Sequence, residues 1–455
     1  MEFEEDDPDK KRDLVKQVKE DNVRFMEMQF SDILGTVKSV SIPVTKLEKA
    51  LDEGVFIDGS SILGYTTVEE SDMRAMPIID SYQVYPWTMH GEMRTARLMC
   101  TISDPTVEDE KGNRFPGDPR LALEKVMKKA EEKGWNMNVG PEFEFFLFKT
   151  EGDLTPSRKP SDIGGYFDLM PLDKGEMVRK DIMIKFDEMG FDVEESHHEV
   201  APGQQEIDLK YGDALTIADR MMTMKLGIKT IAMQHGLHAT FMPKPLQDHW
   251  GSAMHVHQSM VDNKGRNIFD DENGEHGLSD TALKYIGGLL KHAKATCAVL
   301  TPSINSYKRL IPGYEAPCYI SWANMNRSAL VRVPAGRGIK TRVEHRNPDP
   351  SGNPYLQFAV MLAAGLDGIE KGIYPGDPVE KDTFAMTKKE RGELGLDCIP
   401  ENLGEALDEM RESSMMKAAL GDHMFEHFLH IKEMEWMDYR KQVTPWEIKK
   451  YLLTT

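Results

Sequence analysis

The spacing of apolar and polar residues changes period several times along the chain. From Leu14 a helix-like stretch leads into VRFMEMQF and TVKSVSIP, two short segments of strand period separated by SDILG, which predict a hairpin. YQVYPW and ARLMCTI add further strand-like pieces. Residues 14–108 therefore predict a small sheet-rich domain behind a charged tail of residues 1–13, and the polar, turn-rich stretch SDPTVEDEKGNRFPGDPR marks its end. Beyond it, DPRLALEKVMKKAEEKG has helical period, an acidic start and a glycine stop, and NVGPEFEFFLF alternates as a strand. Mixed helix and strand pieces run to about residue 260, a helix follows near ALKYIGGLLKHAKATCAVL, and the chain from Pro354 onward is mainly helical. The pattern predicts an α+β fold: a small sheet domain, then a large second domain over residues 109–455, with no internal repeat.

Composition narrows the class. The 455 residues are 40% hydrophobic and 29% charged, which is the makeup of a folded, soluble protein with a sizeable core. A formal charge of −20 disfavours nucleic acid or an anionic membrane surface as the main partner. Cys100, Cys297, Cys318 and Cys398 form no CxxC pair, which fits a reducing compartment. MEFEEDDPDKK lacks the apolar centre of a signal peptide and no long apolar run occurs, so a cytoplasmic location is expected.

Candidate chemistry lies in carboxylates at strand spacing. In GPEFEFFLF, Glu142 and Glu144 are two apart, so both belong on one face while phenylalanines pack behind. Two adjacent carboxylates entering an apolar strand repel each other and lose hydration unless a cation compensates; a sheet edge facing water is the alternative. ESHHEVAPGQQEID supplies Glu199 and Glu206 around a Pro-Gly turn, MHVHQS places His255 and His257 on one face, and TRVEHR aligns Arg342, Glu344 and Arg346. Five carboxylates with an imidazole suit Mg²⁺ or Mn²⁺ better than structural zinc.

Charge gives an independent clue. Between residues 301 and 346 the basic residues Lys308, Arg309, Arg327, Arg332, Arg337, Lys340, Arg342 and Arg346 face only Glu315 and Glu344, a local excess of +6 in an acidic chain. Such an inversion suits phosphates or carboxylates, which arginine grips bidentately. Basic and acidic sets meet in TRVEHR, the combination that metal-assisted phosphoryl transfer needs. No GxxxxGK[ST] or GxGxxG loop is present.

Together, DGSSI, GPEFEFF, HHEVAPGQQE, MPKP, GSAMHVH, KRLIPGYEAP, NRSALVRVP, RVEHRNPDPSGNPYL and QVTPWEIKKYL resemble class I glutamine synthetase over nearly the whole chain. The resemblance implies a β-grasp-like domain over residues 14–108 and a catalytic domain with a curved antiparallel sheet and helices over 109–455. It implies two or more divalent cations per subunit. Glu144, Glu199 and Glu206 match the ligands of one ion, and Glu142, His255 and Glu344 those of another. His257, Ser259, Arg332, Lys340 and Arg342 match contacts to ATP, Tyr211 the aromatic beside adenine, and Glu194 falls nearby. Gly251, Arg309 and Arg346 match the glutamate site, Arg327 the arginine between glutamate and the transferred phosphate, and Glu315 the acid of a closing loop. Asp58 of DGSSI matches the residue that deprotonates ammonium from the neighbouring subunit. The implied activity is ATP-dependent ligation of ammonia to L-glutamate through γ-glutamyl phosphate, in a homododecamer of two hexameric rings.

Three positions depart from that pattern. Trp250 replaces the usual asparagine before the glycine of GSAMH, in a place that bears on the amino-acid pocket. Thr67 stands where an arginine relays glutamine feedback in many short-type members, so weak feedback by that route is expected. Phe384 aligns with the tyrosine that some members adenylylate, and it has no hydroxyl to modify. Two rivals remain: a γ-glutamyl-amine ligase of the same superfamily, taking a polyamine instead of ammonia, and a non-catalytic structural or regulatory homologue.

Overall fold

The computed structural model describes residues 7–67, 72–88, 93–106, 114–153 and 155–455. The first helix, α1 (Pro8–Glu20), starts inside the stretch expected to be a tail. Asp7 caps it by accepting from the Asp9 and Lys10 amides, Pro8 opens the first turn, and Leu14 and Val18 are buried. Residues 8–13 are thus helical, and residues 1–6 lie outside the described residues, as does the expected boundary at 108/109.

The strands β1 (Phe25–Ser31), β2 (Val37–Pro43), β3 (Val55–Asp58), β4 (Asp72–Pro77), β5 (Gln83–Val84) and β6 (Thr95–Ser103) form one sheet in the order β2-β1-β6-β4-β3, with β5 on β6. β1 and β2 make the expected antiparallel hairpin, while β1 and β6 run parallel. Helix α2 (Leu47–Glu53) joins α1 over this sheet. Met26, Met28, Leu98, Ile102 and Tyr65 fill the small core between them.

The large domain is built around β7 (Trp135–Thr150), a sixteen-residue strand. It pairs with β8 (Pro156–Pro160), β10 (Gln204–Leu209), β11 (Gly212–Asp213), β12 (Leu237–Thr240) and β13 (Val256–Asp262). β9 (Val193–His198) extends the sheet beyond β10, and β16 (Val343–His345), β15 (Val331–Arg332) and β14 (Trp322–Ala323) extend it beyond β13. All pairings are antiparallel except the short β14/β15 pair, which is parallel.

Helices α3 (Pro119–Glu131), α4 (Glu176–Glu188), α5 (Ala214–Gln234), α6 (Asp280–Lys291), α7 (Ala293–Leu300) and α9 (Pro354–Lys371) supply the main core, with α8 (Ser306–Arg309) a single turn. α10 (Lys388–Glu393), α11 (Leu403–Arg411), α12 (Ser414–Leu420), α13 (Asp422–Tyr439) and α14 (Pro445–Tyr451) complete the helical end that the sequence predicts.

The two domains share apolar and polar contacts. Ile33, Tyr85, Trp87 and Met99 of the small domain belong to the core of the large one, with Trp87 stacked on Tyr85 and edge-on to Phe186. Asn353, the N-cap of α9, also donates its amide to the carbonyls of Asp32 and Ile33. No helix among the described residues is long and apolar enough to cross a membrane.

Candidate active site

The alternation of β7 splits its residues by face. Phe143 and Phe145 enter the core, and Glu142 and Glu144 take the other side. Pairing then multiplies the carboxylates: Glu206 of β10 lies directly opposite Glu144, and Asp208 directly opposite Glu142. Like charges in that relation destabilise a sheet. The turn that allows the pairing depends on Gly203, where a φ of +71 and the Leu147 carbonyl, which an added Cβ would meet at 2.6 Å, admit no side chain.

Electrostatics record the crowding. Burial, then Glu199, raises the Glu144 carboxyl well above the ordinary range, and burial followed by Glu144 does the same to Glu206. Burial and Glu142 push Asp208 up to about 8, and its buried Oδ1 has no hydrogen-bond partner among the described residues. Asp208 is the member of this set that the sequence reading missed, although it follows Glu206 at the same two-residue spacing.

Two groups have metal-ligand geometry. Glu142, His255 and Glu344 each bring one ligand atom within 4.8 Å of the others, the set expected for one cation. His197, Glu199 and Glu206 form the second such group. Here the structure differs from the expected trio. Glu144 turns its Oε2 toward the Gln204 Nε2 (2.7 Å) and the Ala253 amide (3.0 Å), while His197 Nε2 stands 3.0 Å from Glu199 Oε1. The repeated acidic environment, oxygen-rich with one imidazole per group, fits hard divalent cations.

A third group, Asp162, Asp173 and His198, is closed by protein donors instead. Asp162 accepts from the Gly203 amide and Ser161 hydroxyl, and Asp173 from Arg179 and the Gly175 amide. His198 meets acceptors at both ring nitrogens, Asp162 and the Glu199 carbonyl. Burial opposes its charge, but those bonds keep its pKa above the usual value, and the ring braces the backbone of Glu199.

The opposite side of the site is basic. Glu344, fully buried, is held by Arg332 Nε at Oε2 and by Arg346 Nη1 at Oε1 (2.6 Å). Burial opposes its ionisation, yet Arg346 and the two histidines bring it down to about 2. Glu142 likewise overcomes burial through His255 Nδ1 (2.9 Å) and His257 Nε2 (2.8 Å), which hold it well below the usual range. Arg342 Nε donates to His257 Nδ1 at 3.2 Å, which leaves the His257 proton on Nε2, facing Glu142. The three charges of TRVEHR therefore do share one network, although only residues 343–345 of it are strand.

The remaining predicted residues fall around this centre. Ser259 lies two residues beyond His257 on β13, and Tyr211, half-exposed, sits beside Gly140, the residue opposite His257. Lys340 and Glu194 are exposed; the loop bearing Lys340 is tied down where Asp270 accepts from the Gly338 amide and the Thr341 hydroxyl. Arg327, exposed, lies near the Tyr166 phenol, whose ring lies edge-on to His197.

Arg309 departs from expectation: its guanidinium is buried and donates to the carbonyls of Arg346 and Asn347. It shapes the backbone instead of presenting a free fork. Gly251 packs on it, with an added Cβ meeting Arg309 Cβ at 3.2 Å and the Pro243 carbonyl at 2.3 Å, and its own carbonyl accepts from Gln204.

Two residues belong to none of these groups. Asp58 is exposed, and its carboxyl, lowered by hydrogen bonds from Ser60 and Ser61, binds only its own turn among the contacts described. Glu315 is exposed with φ +55, a left-handed conformation that costs about 1–3 kcal/mol for a non-glycine residue. Its neighbour Tyr314 packs edge-on to Trp250 and under the Lys244 ammonium, contacts of about 0.5–2 kcal/mol each that offset such strain. Of the departures, Thr67 is exposed and Phe384 half-buried.

The family model described as "Glutamine synthetase, beta-Grasp domain" matches residues 22–105, and "Glutamine synthetase, catalytic domain" matches residues 116–451. A glutamine synthetase of Clostridium saccharobutylicum is 51% identical over 442 residues, 97% of this chain and 98% of that protein. One of Staphylococcus aureus strain Mu50 is 48% identical over 443 residues, again 97% and 98%. A solved structure titled "GmaS/ADP complex-Conformation 1" matches with a TM-score of 0.87 at 32% identity, over 96% of this chain and 99% of that one. A second, "Apo GmaS without ligand", gives 0.86 at 33%, with the same coverage.

Proposed function

The chain belongs to the glutamine synthetase family, and on that premise we propose that it ligates ammonia to the γ-carboxylate of L-glutamate with ATP, giving L-glutamine, ADP and phosphate. The observation that carries this reading is the meeting of Glu142, His255 and Glu344, from three separate segments, with Arg332 and Arg346 on the same carboxylate.

The family uses ATP and divalent metal. Our finer reading is Mg²⁺ or Mn²⁺, two or more ions per subunit, held by Glu142, His255 and Glu344 on one side and by Glu199, Glu206 and Glu144 on the other. The crowded, proton-raised carboxyls of β7 and β10 support it. Such ions, when bound, neutralise phosphate charge as Lewis acids.

The chain's own groups do the rest. His257, Ser259, Arg332, Lys340 and Arg342 hold the polyphosphate, with Tyr211 against the base and Glu194 at its edge. Arg346, the Gly251 backbone and Arg327 hold glutamate, and Arg309 steadies Arg346 through its carbonyl and Gly251 by packing against it. A γ-carboxylate oxygen of glutamate displaces ADP from the γ-phosphorus in line, giving γ-glutamyl phosphate. Asp58 of the neighbouring subunit takes a proton from ammonium, and ammonia then displaces phosphate from the acyl carbon. Glu315 and its loop exclude water in the interval.

The exposed Asp58, which belongs to none of the ligand groups found among the described residues, supports sites shared between subunits of a homododecamer built from two hexameric rings. A cytoplasmic location, with no membrane or nucleic-acid partner, fits the acidic surface charge.

The test is phosphate release with glutamate, ATP and Mg²⁺, supplying ammonium, putrescine or ethanolamine in turn. Ammonium supports the fastest turnover, and Glu344→Ala abolishes it. Faster turnover with either amine makes the chain an amine ligase, and no metal-dependent turnover makes it a non-catalytic homologue.

A further inference from the structure

Trp250 ends the segment that returns toward Glu144. The next residue, Gly251, offers its carbonyl to Gln204, and Ala253 donates its amide to Glu144. The indole meets the Tyr314 ring edge-on, with centroids 6.1 Å apart and planes at 76°. On the same ring the Lys244 ammonium lies 3.7 Å from the centroid, and that ammonium also donates to the His249 carbonyl. Tyr314 is thus gripped by two residues of one short segment, 244–250.

What Tyr314 carries is the loop's strained turn. Gly313 has φ +97 and Glu315 φ +55, so the backbone on both sides of the tyrosine is left-handed. The loop cannot relax toward ordinary backbone without moving the ring that Trp250 and Lys244 hold. The indole Nε1–H is buried and meets no acceptor among the described residues, so the ring and not the donor makes the contact.

We propose that Trp250 is the positioning residue of the Glu315 loop: by clamping Tyr314 against Lys244 it keeps the loop over the amino-acid end of the site and sets how γ-glutamyl phosphate partitions between ammonia and water. The inference rests on the glutamine synthetase reading above. In the productive branch the ammonia nitrogen bonds to the γ-acyl carbon as the carbon–oxygen bond to phosphate breaks. In the leak, a water oxygen takes that carbon and the same bond breaks, giving glutamate and inorganic phosphate, with the surplus proton passing to solvent. The leak consumes ATP without forming an amide, which makes it countable.

The experiment measures ADP and glutamine formed by the full-length enzyme with glutamate, ATP, Mg²⁺ and ammonium. Wild type and Trp250→Phe form one ADP per glutamine. Trp250→Ala and Trp250→Asn form about three or more ADP per glutamine, with an unchanged KM for ATP. Tyr314→Leu reproduces the leak from the other side of the contact and Tyr314→Phe does not, so the test survives a Trp250 variant that fails to fold. A ratio of one in Trp250→Ala, Trp250→Asn or Tyr314→Leu overturns the proposal, whatever the turnover number. So does a leak in Trp250→Phe equal to that in Trp250→Ala, which would move the role to the indole N–H. A wild-type enzyme that makes no glutamine from ammonium overturns the parent reading instead.

Discussion

Glu144 and Glu206 face each other directly across the antiparallel strands β7 and β10, both almost completely buried. Their proximity is unfavourable without a cation, and it sets the terms on which the neighbouring carboxylates titrate.

Asp208, two pairs along the same ladder, gives this a measurable form. Its carboxyl rises from 3.8 to about 8, so between these values the folded metal-free protein holds a proton that the unfolded chain has lost. Metal-free stability therefore falls as pH rises through that window. Asp208→Asn flattens the decline, and Glu206→Gln raises the metal-free melting temperature while weakening Mg²⁺ binding by about tenfold or more. Thermal melts at pH 5 and pH 8, with and without Mg²⁺, check both.

Glu344 is the counterion of two arginines as well as a proposed ligand. Glu344→Ala leaves Arg332 and Arg346 without it, at a cost of about 3–5 kcal/mol in unfolding free energy. Denaturant titration reads the loss, and the same variant shows no Mg²⁺-dependent phosphate release.

Lys225 is buried in α5 with its ammonium on the Gly352 carbonyl. Burial, aided by Lys229, lowers it from 10.5 to about 7. Below the folded value both states are protonated and the full cost of the buried charge is felt. From about 7 to 10.5 only the unfolded chain keeps the proton, and stability rises with pH. Lys225→Met should therefore stabilise by about 2–4 kcal/mol at pH 6, with the gain shrinking toward pH 10, as melts across that range would record.

The proposed sharing of sites between subunits has a genetic signature. Asp58→Asn and Glu344→Ala homo-oligomers are each inactive. Co-expressed in equal amounts, they assemble rings in which about a quarter of interfaces join an intact Asp58 to an intact Glu344. Recovery of roughly that fraction of wild-type turnover is the expected result, and none is expected if each chain completes its own site.

Much of the site was legible because strand period is a local property. Two-residue spacing put Glu142 beside Glu144 and His255 beside His257; β7 carries both glutamates, while β13 starts one residue after His255. Strand pairing is not local. Nothing in GQQEID alone says that Asp208 will lie opposite Glu142, and nothing in HHEV says that His197 will gather with Glu199 and Glu206. The partners of Arg309 were hidden for a related reason. An arginine in a basic stretch reads as an anion ligand, but its donors go to the carbonyls of Arg346 and Asn347, some 37 residues away in sequence. The early start of α1 was readable from Asp7 and Pro8, a cap and first-turn pair hidden within a run of charges.

The length of β7 has a consequence for biosynthesis. The strand is complete at residue 150, but its neighbours on the site side, β10 and β13, leave the ribosome 54 and 106 residues later, and β16 follows at residue 343. Until then Phe143, Phe145 and Phe146 have no sheet to cover them, and the growing chain carries an aggregation-prone edge. A truncated translation product ending before β16 retains the spine but lacks Glu344, so nascent fragments of this protein should depend on chaperones and hold no catalytic competence of their own.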